Sequence, residues 1–193
     1  MANHAFFSIL SRMKYINRWG LMRSTRNETL SEHSMDVAVI AHALAVIGTQ
    51  RFGRLFSAER IALLALYHDC SEILTGDLPT PVKYYNGEIT QAYKDVEKSA
   101  KGRLLSLLPE DLLPHYQPLV MSECSEEEGC IIKAADKISA LMKCLEERSM
   151  GNTEFFVAEA GLRSTIDSMD MPEVQCFMEE FLPSLMLTLD EVE

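Results

Sequence analysis

The sequence predicts an all-α, single-domain protein, and three observations carry that reading. No stretch sustains the period-two alternation of a half-buried strand. Apolar residues recur instead at helical spacing through most of the chain. No internal repeat or low-complexity linker divides the 193 residues, a length that suits one domain with a sizeable core.

The elements follow in order. Helical spacing of apolar residues predicts a helix over about 3–16, then a loop through NRWGLMRSTRNETL. A second helix begins near Ser31 and continues through MDVAVIAHALAVIG, with Gly48 as its expected stop. Ser57 is placed as the N-cap of a third helix through AERIALLALYHDCSEIL. The stretch TGDLPTPVKYYNG, with its turn formers and two prolines, predicts a loop. A helix over about 88–107 comes next, and LPEDLLPHYQP reads as a broken, proline-limited connection. The strongest helix runs from about Glu126 to Met150. One or two more fill the C-terminus, punctuated by Pro172 and Pro183. The core of the domain, spanning 1–193, is expected over about 28–150, with the terminal helices packed on it.

Composition narrows the class. With 47% hydrophobic and 24% charged residues, the chain reads as globular rather than disordered or fibrous. No unbroken apolar run approaches a membrane span, and the N-terminus lacks the pattern of a signal peptide, so no membrane partner is expected. The cysteines at 70, 124, 130, 144 and 176 are odd in number and form no CxxC pair; reduced thiols in a cytoplasmic protein account for them. A net charge of −11 argues against a polymeric nucleic-acid partner. The charge is uneven, however. Residues 1–30 carry five basic residues against the single acid Glu28, a local source of positive charge for an anionic ligand.

The residues that demand explanation lie in IALLALYHDCSEILTGDLPTP, residues 61–81. A run of apolar residues leads into His68 and Asp69, with Glu72 one turn later and Asp77 just beyond. Ionisable groups are costly to bury unless paired, hydrogen-bonded or bound to metal. His33, near the start of the second helix, and Asp136, among apolar neighbours in CIIKAADKISALMKCL, share that character. Two imidazoles and two carboxylates suit Mn, Fe, Co or Zn and leave coordination places for water and substrate. Singly, each has a plainer reading: His33 as a satisfied core histidine, Asp136 as an acid paired with Lys133 or Lys137, Glu72 on a solvated face. His68–Asp69 resists such a reading, since no basic residue lies nearby in sequence. Glu72, four residues after His68, projects from the same side of a continuous helix. His42, nine residues after His33, falls on the opposite side of its helix and serves as a control. Cys70 should point away from His68, and His4 and His115 are given no role.

His33, His68–Asp69 and Asp136 together resemble the H…HD…D pattern of the HD-domain metal-dependent phosphohydrolases. The longer strings INRWGLMR, SEHSMDVAVIAHALA, ALYHDCSEILTGDLPTPVKY and KAADKISALMKCLEE are similar to the bacterial 5′-deoxynucleotidases of that superfamily, over nearly the whole chain. The resemblance implies an all-helical HD-domain bundle and a cytoplasmic homodimer. Its implied reaction removes the 5′-phosphate from deoxyribonucleoside 5′-monophosphates. It implies a divalent cofactor, Co2+ first, with Mn2+ or another transition metal as substitutes. The implied metal ligands are His33, His68, Asp69 and Asp136, with His33, Asp69 and Asp136 also facing the substrate. Arg18 would hold the phosphate, and Trp19 would crowd the place of a ribose 2′-hydroxyl. Glu72 would be the catalytic acid or base, and Asp77, Leu78, Pro79 and Thr80 would contact the deoxyribose. Two departures stand out: Cys70 follows the HD pair where a smaller residue such as alanine is expected, and Asp36 adds an acid one turn beyond His33.

Two other readings fit parts of the pattern. One is another HD phosphohydrolase, acting on a nucleoside triphosphate, a cyclic dinucleotide or a stringent-response nucleotide. The other is a non-catalytic nucleotide-binding HD protein, against which the intact ligand set and Glu72 speak.

Overall fold

The structure, a computed structural model, describes residues 4–83 and 85–192, with Thr80 described through its backbone alone. Among these residues the chain is helical without a strand, as the periodicity predicts; an isolated antiparallel bridge joins Asn17 to Thr29.

Helix α1 (Phe6–Leu10) tightens into a 3-10 turn over Ser11–Tyr15, in place of one α-helix over 3–16. Residue 3 of that expectation lies outside the described residues. Helix α2 (Leu30–Phe52) starts at a capping box. The Thr29 hydroxyl accepts the Glu32 amide at 3.3 Å while the Glu32 carboxylate accepts the Thr29 amide at 2.7 Å. It passes through Gly48 rather than stopping there. Gly53 ends it instead, in the left-handed conformation (φ 66°) that lets the Arg54 amide reach the Gly48 carbonyl. Gly48 has a packing role: a Cβ there would stand 2.9 Å from the Phe56 ring. Gly48→Val is therefore expected to destabilise the fold by roughly 1–3 kcal/mol through overpacking, despite the better helix propensity of valine. A urea midpoint equal to that of the parent chain would refute this.

Helix α3 (Ala58–Tyr67) ends earlier than predicted, and Ser57 precedes it without a side-chain capping bond. The reason is local. In an α-helix the Ala65 carbonyl would accept the Asp69 amide; here it accepts the His68 amide at 3.3 Å and faces His68 Nδ1 at 2.6 Å. The chain then tightens through His68–Ser71 and resumes as α4 (Glu72–Thr75), so the HD pair sits on a turn between helices. The predicted loop 75–87 contains a further short helix, α5 (Thr80–Lys83). Helix α6 (Gly87–Leu105) agrees with prediction, and the proline-limited connection holds α7 (Leu113–Val120), with Pro118 inside it. Helix α8 (Glu126–Ser149) starts at a second capping box, between Ser125 and Glu128. Helices α9 (Phe156–Asp167) and α10 (Pro172–Glu180) complete the bundle, followed by two short 3-10 turns.

The main core joins α2, α3, α8, α9 and α10 through Leu44, Ile61, Leu64, Ile138, Leu141, Ile166 and Phe177. It thus draws on helices beyond residue 150. A second cluster, built on Phe6, Cys70, Leu104, Leu105, Leu108 and Val120, packs behind the HD turn. Cys70 faces this cluster, away from the HD pair's polar side. The five cysteines are unpaired. Helix α2 is long and apolar enough to cross a membrane by composition, but more than half of that stretch is buried within the bundle.

Candidate metal centre

Three elements bring the predicted ligands together. His33 projects from the first turn of α2 and is fully buried. His68 and Asp69 come from the turn after α3, and Asp136 from the third turn of α8. Donor atoms of His33, His68 and Asp136 all lie within 4.8 Å of one another. Asp69 closes the group: its Oδ2 is 3.0 Å from His68 Nε2 and 3.7 Å from His33 Nε2, while Asp136 Oδ1 is 3.2 Å from His33 Nε2.

The hydrogen bonds behind the imidazoles aim them. His33 Nδ1 lies 3.0 Å from Ser139 Oγ, and His68 Nδ1 lies 2.6 Å from the Ala65 carbonyl, which can only accept. The neutral form of His68 therefore carries its proton on Nδ1 and turns the lone pair of Nε2 inward. Both Nε2 atoms are buried and make no hydrogen bond. Two orphaned imidazole nitrogens facing two carboxylates are a donor set for a divalent cation, and the residues fit one. Lys137 also meets Asp136, at 2.9 Å from Oδ2, so the pairing considered from sequence exists alongside the cluster.

Electrostatically the two imidazoles differ. Burial lowers the His33 pKa to about 4, favouring the neutral imidazole that a metal requires. Burial opposes a charge on His68 as well, but Asp69 and Asp136 raise it to about 9. Burial works against the charged forms of Asp69 and Asp136, yet the histidines beside them hold both carboxyls below the usual range.

Glu72 borders the cluster on α4, only 4% exposed. Its Oε1 is 3.8 Å from Lys83 Nζ, and its Oε2 is buried without a hydrogen bond. Burial, then Asp69 and Asp77, push its carboxyl up to about 8 against the opposing charges of Lys83 and Arg18. Glu72 comes within electrostatic reach of Asp69 from a new helix after a turn, not from the continuous helix expected. Arg18 also lies within electrostatic reach of His33 and Asp77. Its guanidinium and the Trp19 indole both meet Glu28, and Trp19 packs on Phe155 with centroids 5.3 Å apart. Asp77, Leu78 and Pro79 form the half-buried loop beside them, the Asp77 carboxyl raised by burial against the pull of Arg18 and the Trp19 amide. The side chain of Thr80 lies outside the described residues.

His42 is exposed on the far face of α2, and Asp36 is exposed one turn past His33. Sequence reasoning missed Ser139, Glu28 and Lys83. Ser139 had a readable signal, lying three residues after Asp136 on the same face of a helix.

A family model described as 5′-deoxynucleotidase YfbR-like matches residues 5–185. A 5′-deoxynucleotidase of Klebsiella pneumoniae is 52% identical over the whole chain, which covers 97% of that protein. The 5′-deoxynucleotidase YfbR of Escherichia coli is 51% identical over the same extent, again 97% of its length. Among solved structures, an HD-domain phosphohydrolase of Listeria innocua superposes with a TM-score of 0.81 at 29% identity, over 96% of this chain and 90% of that one. A cyanophage S-2L HD phosphohydrolase, solved with dA and one catalytic Zn2+, shares the fold at 18% identity. Its TM-score is 0.62, over 92% of this chain and 95% of that one.

Proposed function

The chain belongs to the YfbR-like 5′-deoxynucleotidase family, and from this we propose that it hydrolyses deoxyribonucleoside 5′-monophosphates to deoxyribonucleoside and phosphate, discriminating against ribonucleotides. The observation that carries the reading is the pair of buried, unbonded Nε2 atoms of His33 and His68, converging with Asp69 and Asp136 beside Arg18 and Glu72. These four residues would hold a divalent ion, Co2+ first, with Mn2+ or another transition metal as substitutes. A bound ion of this kind lowers the pKa of water and withdraws charge from phosphoryl oxygens.

The chain's own residues supply the rest. Arg18 offers a fork of donors matched to phosphate oxygens. Glu72, with its pKa at about 8, holds a proton near neutral pH and can give it to the leaving 5′-oxygen. Asp77 accepts a hydrogen bond from the 3′-hydroxyl, with Leu78, Pro79 and Thr80 as the neighbouring sugar contacts. Trp19 would crowd the place of a 2′-hydroxyl and so exclude ribose sterically. Phosphoryl transfer relies mainly on such positioning and charge stabilisation. The enzyme acts as a cytoplasmic homodimer in this reading.

Phosphate release from dAMP, AMP and dATP, with Co2+ or Mn2+ supplied, tests the proposal. dAMP alone should be a good substrate. Preference for dATP would point to the triphosphate hydrolases, and no hydrolysis of any would favour a non-catalytic binding protein. Arg18→Lys is expected to lower kcat/KM for dAMP by about 10²-fold, since lysine cannot make the bidentate contact. Near-normal activity would place the phosphate elsewhere.

A further inference from the structure

We infer that Glu28 is a positioning residue that sets sugar specificity, holding Arg18 and Trp19 through a single carboxylate oxygen. The inference rests on the proposed roles of Arg18 as phosphate holder and Trp19 as sugar wall.

Glu28 Oε2 accepts the Trp19 indole N–H at 2.8 Å and faces Arg18 Nη1 at 3.3 Å, with only 9% of Glu28 exposed. The backbone fixes the same residues: the Arg18 amide donates to the Glu28 carbonyl at 2.9 Å, and the Asn17–Thr29 bridge closes the neck of the loop between them. Glu28 therefore cannot drift relative to the two side chains it holds.

Trp19 needs such an anchor. Its φ of 60° lies in the left-handed region, unfavourable for a bulky residue. A strained conformation of this kind persists only where its surroundings over-determine it. An indole can exclude a hydroxyl only if it does not swing aside, and its N–H is a donor that a buried site must satisfy. The bond to a carboxylate does both, and the Phe155 ring packs against the indole. For Arg18, a carboxylate on one edge of the guanidinium leaves the remaining donors available to an anion.

The far end of the loop is tied down as firmly. Glu147, on α8 and 1% exposed, accepts the Thr25 amide and hydroxyl, each at 2.8 Å. The buried Lys143 ammonium bonds Glu147 at 2.5 Å and the Arg26 carbonyl at 2.6 Å. Asp136, Ser139, Lys143 and Glu147 follow spacings of three and four along α8, so one helix face bears a proposed metal ligand and the clamp on the Arg18–Trp19 loop.

Trp19 is the only tryptophan, so its fluorescence reports this anchor directly. The test compares Glu28→Ala, Glu28→Gln and Trp19→Phe in the full chain, by emission, by thermal melting, and by kcat/KM for dAMP and AMP. In Glu28→Ala the emission should shift and its anisotropy fall, while the dAMP-to-AMP ratio drops about tenfold. Glu28→Gln keeps an acceptor for the indole. It should retain most of the ratio while KM for dAMP rises as Arg18 loses its ion pair. Trp19→Phe should lower the ratio, and adding Glu28→Ala to it should lower the ratio no further. Unchanged emission in Glu28→Ala overturns the inference, as does an unchanged ratio in a protein whose parent discriminates. If the parent treats dAMP and AMP alike, the sugar role of Trp19 falls and takes the specificity claim with it. Emission then still decides whether Glu28 holds the indole.

Discussion

Glu72→Gln should retain the bound metal and nearly normal dAMP affinity while kcat falls by about 10²–10⁴-fold, the usual range for a lost general acid or base. Glutamine fills the same space, 4% exposed, so packing is preserved and the proton is what disappears. The pH dependence offers a second reading. The carboxyl sits at about 8 in the folded protein, above its ordinary value near 4.5, so folding favours its protonated form. Metal-free protein therefore loses stability from this group as pH rises from about 4.5 through 8. The glutamine variant is free of that loss. Its advantage in urea midpoint over the parent should be larger at pH 9 than at pH 6. Unchanged kcat would remove Glu72 from proton transfer; an equal advantage at both pH values would deny the raised pKa.

Asp136→Asn should prevent tight metal binding and lower kcat/KM by about 10³-fold or more. A ligand that binds only the folded state stabilises it by roughly 2.7 kcal/mol at a hundredfold excess over Kd. Added Co2+ or Mn2+ should thus raise the melting temperature of the parent chain and leave the variant nearly unmoved. Ser139→Ala, which only releases His33 Nδ1, should weaken metal affinity by roughly 10–100-fold. Equal metal-induced shifts in parent and Asp136→Asn would remove Asp136 from the ligand set.

The parts of the site that could be read from sequence were those that broke a local rule. His68–Asp69 interrupts an apolar run, and Asp136 sits among apolar neighbours, so both announced themselves. The break after Tyr67 did not. It depends on a side chain meeting the Ala65 carbonyl, while every residue involved is compatible with a longer helix. Gly48 misled for a related reason: glycine is an ordinary helix stop, but here the Phe56 ring occupies the space a side chain would need. Lys143 and Glu147 have the spacing of a common surface pair. Their burial, 3% and 1% exposed, is created by a loop more than 100 residues away. Glu28 was visible as the only acid in the first 30 residues, but its two partners become evident only when the chain folds back on itself.

The one-sided face of α8 also bears on the order in which the protein acquires its parts. Ser139 meets His33 across 106 positions, and Glu147 meets Thr25 across 122. Closing such spans comes late, after nearer contacts have formed. On the ribosome, α2 and the HD turn emerge well before α8 exists, so a growing chain has two imidazoles and no Asp136 with which to share a cation. Metal capture and the ordering of the Arg18–Trp19 loop then both await synthesis of the same helix. A chain stopped before residue 136 would lack one proposed ligand together with the clamp. A one-residue insertion between Asp136 and Lys143 would rotate one by about 100° relative to the other and uncouple them while removing no residue.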